Sequence, residues 1–130
     1  MKKEFSTHWN SSKQPRKQRK FRYNAPLHIK GRFLNVHLSK ELRQKYKRRS
    51  IRVRKGDTVK VLRGQFKKTT GNVERIDTKK SKLYISKVEL TKREGSKVAI
   101  PIEPSNVIIT ELTLNDKRRV EKLKLKGAQK

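Results

Sequence analysis

The sequence predicts a mainly β protein: a small barrel or sandwich with a basic, partly helical arm before it and a short helix after it. About five short apolar runs follow Ser50 at a spacing of roughly 8–12 residues, which is typical of strands joined by short turns. Residues 1–55 hold 19 of the 38 Lys and Arg side chains but only 2 of the 11 acidic ones. We therefore expect an arm over residues 1–50, a barrel over residues 51–112, and a C-terminal helix and tail over residues 113–130.

Positive charge is the strongest feature of the composition. The chain has 130 residues, a formal net charge of +27, a pI near 11 and a hydrophobic content of only 31%. A compact chain so charged repels itself, so we expect a polyanionic partner, and nucleic acid is the most abundant polyanion. The sequence has no broad apolar helix face, no long apolar run and no signal-peptide pattern. We therefore expect a soluble, intracellular protein without membrane insertion.

Catalytic chemistry is not predicted. The absence of cysteine excludes disulfides, thiolate catalysis and cysteine-ligated metal sites. The three histidines stand alone in a basic region, and the acidic residues Asp57, Glu74 and Asp77 are interpreted as members of surface ion pairs. We therefore expect no enzyme activity, no cofactor, no metal and no small-molecule substrate.

The arm contains the densest group of cations. Lys13–Asn24 carries six cations in twelve residues, interleaved with Phe21 and Tyr23, and Pro15 suits the first position of a short helix. Such a run is typical either of a solvated tail or localisation signal, or of an arm laid on RNA; the aromatic residues favour RNA. In the unperiodic segment before it, Trp9 would either stack on a base or pack against protein.

Short helices are predicted between the arm and the first strand. Ala25–Val36 is mildly amphipathic, so we expect a short helix or turn that packs the arm against the barrel. Ser39–Tyr46 predicts a helix with serine as its N-cap and cations near its end. The triplet Lys47–Arg49 then leads into the first strand, where Arg52 and Arg54 alternate with apolar residues. One face of that strand should be core and the other cationic.

The middle of the chain predicts two strands around a basic loop. Val59 and Val61 occupy alternate positions of the first strand. Val73 and Ile76 resume the apolar signal after the loop, but they lie three residues apart, so we expect a bulge or a strong twist near Glu74–Arg75. A further strand follows, with alternate residues of the segment 82–85 facing inward.

The loop Gly64–Gly71 is a candidate phosphate contact. It lacks the glycine that a Walker nucleotide-binding loop places before its Lys-Ser/Thr pair, so nucleotide binding is not predicted. Its cations, Arg63, Lys67 and Lys68, lie beside glycine-permitted turns and could approach a phosphate closely. The alternative is a plain hairpin loop with solvated lysines.

The C-terminal third predicts two more strands and a helix. Val98, Ile100 and Ile102 alternate cleanly around Pro101, which indicates an edge strand. The last strand covers residues 107–112. A final helix, Asp116–Lys126, capped by residue 115 or its neighbour, has few apolar positions, so it would either dock on RNA or attach loosely.

Four sequence segments carry a family resemblance. GDTVKVLRGQFKKTTGNVERID, residues 56–77, resembles the KOW motif, which transcription elongation factors and several ribosomal proteins share. RKFRYNAPLHIK, LSKELRQKYKRRSIRVRKGD and EPSNVIIT resemble the archaeal and eukaryotic form of the large-subunit ribosomal protein family number twenty-four. The resemblance extends from about residue 11 to residue 114.

The resemblance implies an SH3-like barrel that binds large-subunit rRNA near its 5′ region, acts early in assembly and lies beside the mouth of the peptide exit tunnel. It also implies neighbouring ribosomal proteins as partners, a cytoplasmic location in the ribosome, and no homo-oligomer. Gly71 matches the motif glycine, and Gly64, Phe66 and Lys67 match its loop. Lys68 stands where the family usually has glycine, so we expect a rearranged loop there.

A barrel of this size is marginal alone, so we expect the arm to become ordered on rRNA. The candidate RNA-binding residues lie in the arm, the first strand and the loop: Lys13, Arg16, Lys17, Arg19, Lys20, Arg22, Tyr23, Asn24, His28, Lys30, Arg43, Lys45, Lys47, Arg48, Arg49, Arg52, Arg54, Lys55, Arg63, Gly64, Phe66, Lys67, Lys68 and Gly71.

Two other classes of protein are considered. A KOW-type transcription elongation factor would carry a larger α/β module before the barrel, and here only a basic arm precedes Arg52. A general, chromatin-type nucleic-acid-binding protein would bind duplex DNA of any sequence with equal affinity.

Overall fold

A computed structural model describes residues 2–127, which are mainly β with short helices. The helices are α1 (Pro15–Asn24), α2 (Leu27–Lys30), α3 (Lys40–Tyr46) and α4 (Lys117–Gly127), with 3₁₀ turns at Thr7–Ser11, Gly31–Leu34 and Pro104–Asn106. The strands are β1 (Asn35–Leu38), β2 (Ser50–Arg52), β3 (Thr58–Val61), β4 (Thr70–Asp77), β5 (Lys82–Ile85), β6 (Glu89–Thr91), β7 (Lys97–Ala99) and β8 (Val107–Glu111).

Six strands form one mixed sheet in the order β2-β1-β8-β3-β4-β5, which is compatible with a small barrel-like domain. Strand β1 pairs parallel to β8, and the other neighbours are antiparallel. The pairing of β4 with β5 shifts register between Val73 and Arg75, which confirms the predicted bulge. A bulge twists its strand strongly and helps a small sheet to curl over its core.

The core follows the two-residue period of the sequence. Val59 and Val61 are fully buried, as are Leu83 and the neighbouring inward residue Ile85. On β2, Ile51 is buried and Arg52 is exposed, which confirms the division of that strand into an apolar face and a cationic face. The serine cap of α3 is also confirmed, because the Ser39 side chain accepts a hydrogen bond from the Leu42 backbone N–H.

Strand β1 was not predicted. It lies between β2 and β8, with Val36 and Leu38 completely buried, so a segment assigned to the arm completes the central sheet. The strand has only four residues, and the helical turns before it give the apolar residues a mixed spacing. The run of alternating residues is therefore too short to stand out in the sequence.

The strand predicted through Val98, Ile100 and Ile102 is only partly present. Strands β6 and β7 form a separate two-stranded sheet in which Leu90 faces Val98, and both side chains are exposed. Ile102 makes an isolated bridge to Leu83 at the edge of the main sheet. The alternation of residues 98–102 predicted extended backbone here. It did not predict which face would be buried, because the β6–β7 hairpin is not part of the six-stranded sheet.

Helix α4 packs against the folded core, so the alternative of loose attachment is wrong. The helix begins at Lys117, one residue later than predicted, with Asp116 as its cap: the Arg118 N–H donates to Asp116 Oδ1 over 3.1 Å. Leu123 is 2% exposed and joins the core. A single inward leucine was too weak a signal to predict this docking.

A buried ion pair fixes the helix, and it corrects the interpretation of Asp57 as a surface residue. Asp57 has no exposed surface, and its two carboxylate oxygens accept hydrogen bonds of 2.6 Å from Nη1 and Nη2 of Arg119. The same carboxylate accepts from the backbone N–H groups of Arg54 and Thr113 at 2.8 and 2.9 Å. Such bidentate contact with additional donors compensates for removing both charges from water.

We expect Arg119→Met to lower the free energy of unfolding by about 3–5 kcal/mol, because it leaves a buried carboxylate without its countercharge. The matched variant Arg118→Met, on an exposed side of the same helix, should change it by less than about 0.5 kcal/mol. Urea denaturation measures both values. The double variant Asp57→Asn with Arg119→Met should lose less free energy of unfolding than the two single variants lose together. Losses that add up strictly would contradict the coupling of these two residues.

Candidate nucleic-acid interface

Two clefts on neighbouring surfaces bring together cations that are distant in the sequence. The first, here called the α4 cleft, has a volume of about 500 Å³ and lies between α4, β2 and the Gly31–Leu34 turn. Its lining contains four predicted RNA contacts and several residues that were not predicted: His28, Gly31, Arg32, Asn35, Arg48, Ser50, Ile51, Arg52, Arg54, Asp116, Arg118, Arg119 and Lys122.

The charge of the α4 cleft is largely uncompensated. Asp116 is its one acidic lining residue, and it forms a 2.7 Å ion pair with Arg54, while the guanidinium of Arg119 is neutralised by a buried carboxylate. Among residues 2–127, no carboxylate pairs with the remaining cations of the lining: Arg32, Arg48, Arg52, Arg118 and Lys122. Like charges gathered in one concave surface raise the local positive potential and attract anions.

Arg52 has a defined position in this cleft. Its guanidinium lies flat against Gly31, where an added Cβ would stand 2.6 Å from Nη1 and 2.9 Å from Cζ. The backbone of Gly31 is helical, with φ −59° and ψ −26°, so the glycine is required by this close approach and not by its own conformation. Arg48 is also held, since its Nη1 donates a 3.0 Å hydrogen bond to the backbone oxygen of Lys122.

The second cleft, here called the α1 cleft, has a volume of about 440 Å³ and lies between α1 and the turn that joins β4 to β5. Tyr23 is 82% exposed at this cleft, and Asn35 belongs to both clefts, so the two are contiguous. The lining combines three predicted RNA contacts with residues that were not predicted: Arg19, Arg22, Tyr23, Phe33, Asn35, Lys79, Lys80, Ser81, Glu103, Pro104 and Ser105.

Helix α1 is positioned by aromatic packing. Phe21 is 6% exposed; its ring stacks on Phe5 at 5.4 Å and meets the edge of Phe33 at 5.9 Å between centroids. Pro15 occupies the first turn, as predicted. The Lys20 ammonium lies 5.0 Å from the centroid of the Trp9 ring, so the tail tryptophan packs against protein. These contacts fix helix α1, from which Arg19, Arg22 and Tyr23 line the cleft.

The comparisons with known proteins identify the chain's relatives. The family profile that describes the eukaryotic ribosomal proteins L26 and their archaeal counterparts of the L24 type matches residues 12–126. The chain belongs to this family. It is 56% identical to the large ribosomal subunit protein uL24 of Methanospirillum hungatei over 112 residues, which is 86% of this chain and 93% of the relative. It is 57% identical to uL24 of Methanoculleus marisnigri with the same coverage, and 51% identical to that of Methanocorpusculum labreanum over 90% of this chain and 97% of the relative.

Membership of this ribosomal protein family confirms the predicted resemblance and places the chain among ribosomal proteins and not among enzymes. Within residues 2–127, no group of three His, Asp or Glu side chains is arranged to hold a metal ion. No helix in the described part of the chain has the length and apolar character needed to cross a bilayer.

The loop between β3 and β4 lies outside both clefts. Gly64 adopts φ 91° and Lys68 adopts φ 73°, so both residues take left-handed backbone conformations. Its backbone is held by a 2.8 Å hydrogen bond from the Lys68 N–H to the Val61 oxygen, and Phe66 packs against the core. Arg63 and the loop lysines are exposed. Lys68 therefore holds a positive φ although it is not glycine, and the expected rearrangement of the loop stays a prediction.

Gly71 has a different role from the one its motif position indicated. It lies inside β4, opposite Val59, and its φ is not positive. An added Cβ would press on the backbone oxygen of Ser86 and approach the Cγ2 of Ile85 to 2.9 Å. Glycine is needed here so that the backbone at Ser86 can approach β4, and not to form the loop.

The other predicted RNA contacts also lie outside the clefts, and several of their side chains contact other groups of the protein. Asn24 donates to the Glu4 oxygen at 2.7 Å, and Arg43 Nε donates to the Leu38 oxygen at 2.7 Å. Lys45 lies 5.4 Å from the centroid of the Tyr46 ring. The rest are distributed over other surfaces of the arm and sheet: Lys13, Arg16, Lys17, Lys20, Lys30, Lys47, Arg49 and Lys55.

The lining cations that the sequence did not predict as contacts come mainly from two places. Arg118 and Lys122 stand four residues apart on α4 and share a face, a spacing that was readable in the sequence. Lys79 and Lys80 lie in the turn between β4 and β5. Nothing local to that turn indicates that α1 lies against it.

Glu103 is the one carboxylate of the α1 cleft. The hydrogen bond from Lys82 Nζ, 2.6 Å long, and the charge of that ammonium lower the pKa of Glu103 below its ordinary value of 4.5; burial opposes the shift and Arg22 adds to it. The carboxylate therefore stays charged in mildly acidic solution.

We expect a carboxyl-detected NMR titration to give Glu103 a pKa below 4.5, and Lys82→Met to raise it toward that value. Because the folded-state pKa is the lower one, the stability gained from this pair is fully present above the unfolded-state pKa. It is lost as the pH falls through the folded-state pKa. An unchanged pKa in the Lys82 variant would contradict this ion pair.

Proposed function

We propose that this chain is a structural constituent of the large ribosomal subunit that binds large-subunit rRNA near its 5′ region, beside the mouth of the exit tunnel. It would support early assembly of the subunit, in the cytoplasm, together with neighbouring ribosomal proteins and as a single copy. The observation that carries the proposal is the convergence of cations from α1, β2, the β4–β5 turn and α4 on two contiguous clefts. Family membership supports the ribosomal setting.

The chemistry of the clefts suits phosphate. Planar guanidinium groups bind phosphate oxygens through paired hydrogen bonds, and the α4 cleft contains several of them with no carboxylate partner among the described residues. The major groove of A-form RNA is too narrow for side chains to read, so we expect recognition of RNA shape and backbone. The predicted contacts outside the clefts would add phosphate contacts around this surface.

Three functional regions follow from this proposal. Residues 1–50 form a basic region that becomes fully ordered on rRNA, because RNA phosphates neutralise the charge concentrated there. Residues 51–112 form the KOW-type, SH3-like barrel; the strand order and bulged β4 support this assignment. The region 113–130 contains helix α4, which forms one wall of the α4 cleft.

The purified protein should protect a discrete segment of large-subunit rRNA from nuclease. The logarithm of its affinity should fall with the logarithm of salt concentration by roughly 0.7–0.9 for each phosphate neutralised. Sedimentation of cell extract at low salt should place the protein with large subunits. Equal protection of duplex DNA and rRNA, or a flat salt response, would overturn the proposal.

Gly31→Ala offers a test that changes no charge. The new methyl group should push the Arg52 guanidinium away from its position, weakening rRNA binding by about fivefold, since a charge-assisted hydrogen bond contributes about 1 kcal/mol or more. Thermal unfolding should show unchanged or slightly raised stability, because alanine suits this helical backbone.

Filter binding compares Gly31→Ala with Arg52→Gln and with the double variant. The double variant should bind no more weakly than Arg52→Gln alone, because both changes act through one guanidinium. Lys117→Gln, which removes a cation of α4 that lies outside both clefts, is the control and should bind nearly as the wild type does. Additive losses would show that Gly31 acts through something other than Arg52.

A further inference from the structure

The two clefts differ in chemistry although they are contiguous. The α4 cleft presents guanidinium and ammonium groups and the imidazole of His28 but no Phe, Tyr or Trp ring, which suits phosphates. The α1 cleft also contains the cations Arg19, Arg22, Lys79 and Lys80, but it adds the rings of Tyr23 and Phe33. Its hydroxyls, on Ser81 and Ser105, and the carboxylate of Glu103, which pairs with Lys82, can accept hydrogen bonds from the amino groups of bases. The α1 cleft therefore offers a nucleobase the Tyr and Phe rings that the α4 cleft lacks.

Tyr23 offers an open surface for such a base. It is 82% exposed, the most exposed of the large apolar side chains in the described chain, while Phe21, two residues before it, anchors the same helix in the interior. Its neighbours in the cleft include Arg22, whose guanidinium lies 5.9 Å from the centroid of the Phe33 ring. An aromatic face flanked by cations is the arrangement on which unpaired bases stack in proteins that bind single strands.

Asn35 joins the two clefts into one path. It lines both of them, and in the pairing of β1 with β2 it lies directly opposite Arg52. A strand leaving Tyr23 therefore passes Asn35 and reaches the guanidinium held against Gly31. The cations of the α4 cleft continue the path along α4.

We infer that the two clefts form one track for an unpaired RNA strand, with a nucleobase stacked on Tyr23 in the α1 cleft and the following phosphates in the α4 cleft. The inference rests on the proposed rRNA-binding function and specifies its ligand as an unpaired segment. A base inside a duplex has both faces covered by its neighbours, so a paired segment cannot use Tyr23.

The test uses the full chain and an oligoribonucleotide of about ten nucleotides with 2-aminopurine at its centre, free or annealed to its complement. Stacking on a tyrosine ring quenches the fluorescence of this base. Binding of the single strand should quench it, Tyr23→Phe should preserve the quenching, and Tyr23→Leu should abolish it and weaken binding by about tenfold. The annealed RNA should show no quenching that depends on Tyr23.

The outcomes separate the two proposals. Salt-sensitive RNA binding without quenching, or quenching that survives in Tyr23→Leu, would overturn the single-strand track while leaving rRNA binding intact. A duplex that binds as tightly as the single strand and loses as much affinity in Tyr23→Leu would overturn it equally. Failure of every RNA, including the protected rRNA segment, to bind would overturn the proposed function itself. Because Tyr23 is exposed, both substitutions should leave the fold undisturbed.

Discussion

The buried pair between Asp57 and Arg119 is the interaction on which the arrangement of this molecule depends. One carboxylate receives the guanidinium of the C-terminal helix and the backbone N–H groups of Arg54 and Thr113. The guanidinium in turn donates to the backbone oxygens of Thr113 and Arg52. The turn before β3, the chain after β8 and helix α4 therefore meet at a single charge pair, and the pair is favourable only while all three are in place.

That constraint also shapes the electrostatics of the surface. Arg119 lines the α4 cleft, but its charge is neutralised by the buried carboxylate of Asp57. Its neighbour Arg118 on the same helix is exposed. The anchor thus holds one wall of the cleft in place and leaves the other guanidinium groups available to an external anion. The mutual repulsion of those groups is a cost to the isolated protein that RNA phosphates would relieve.

Local patterns in the sequence predicted the parts of the fold that local physics determines. Alternation located β3 and β5, the irregular spacing of Val73 and Ile76 located the bulge, and Ser39 marked a helix start. The long-range features were out of reach. Asp57 and Arg119 are 62 residues apart, and neither carries a local mark of burial.

The candidate interface shows the same division between local and long-range information. Charge density identified α1 and β2 as cationic, yet the clefts are completed by α4 and by the β4–β5 turn, whose lysines resemble ordinary solvated residues. Lys68 also takes the left-handed conformation although it carries a side chain, which tolerates that conformation less well than glycine does. Which surfaces come together depends on tertiary packing that periodicity does not encode.

The position of β1 between β2 and β8 has a consequence for how the chain is made. A ribosome makes residues 35–38 long before residues 107–111, yet these two segments must pair in parallel within the sheet. Until β8 is made, β1 lacks one of its two partners and one edge of β3 stays open. The central sheet therefore cannot be completed during the synthesis of the segments that lie between these two strands.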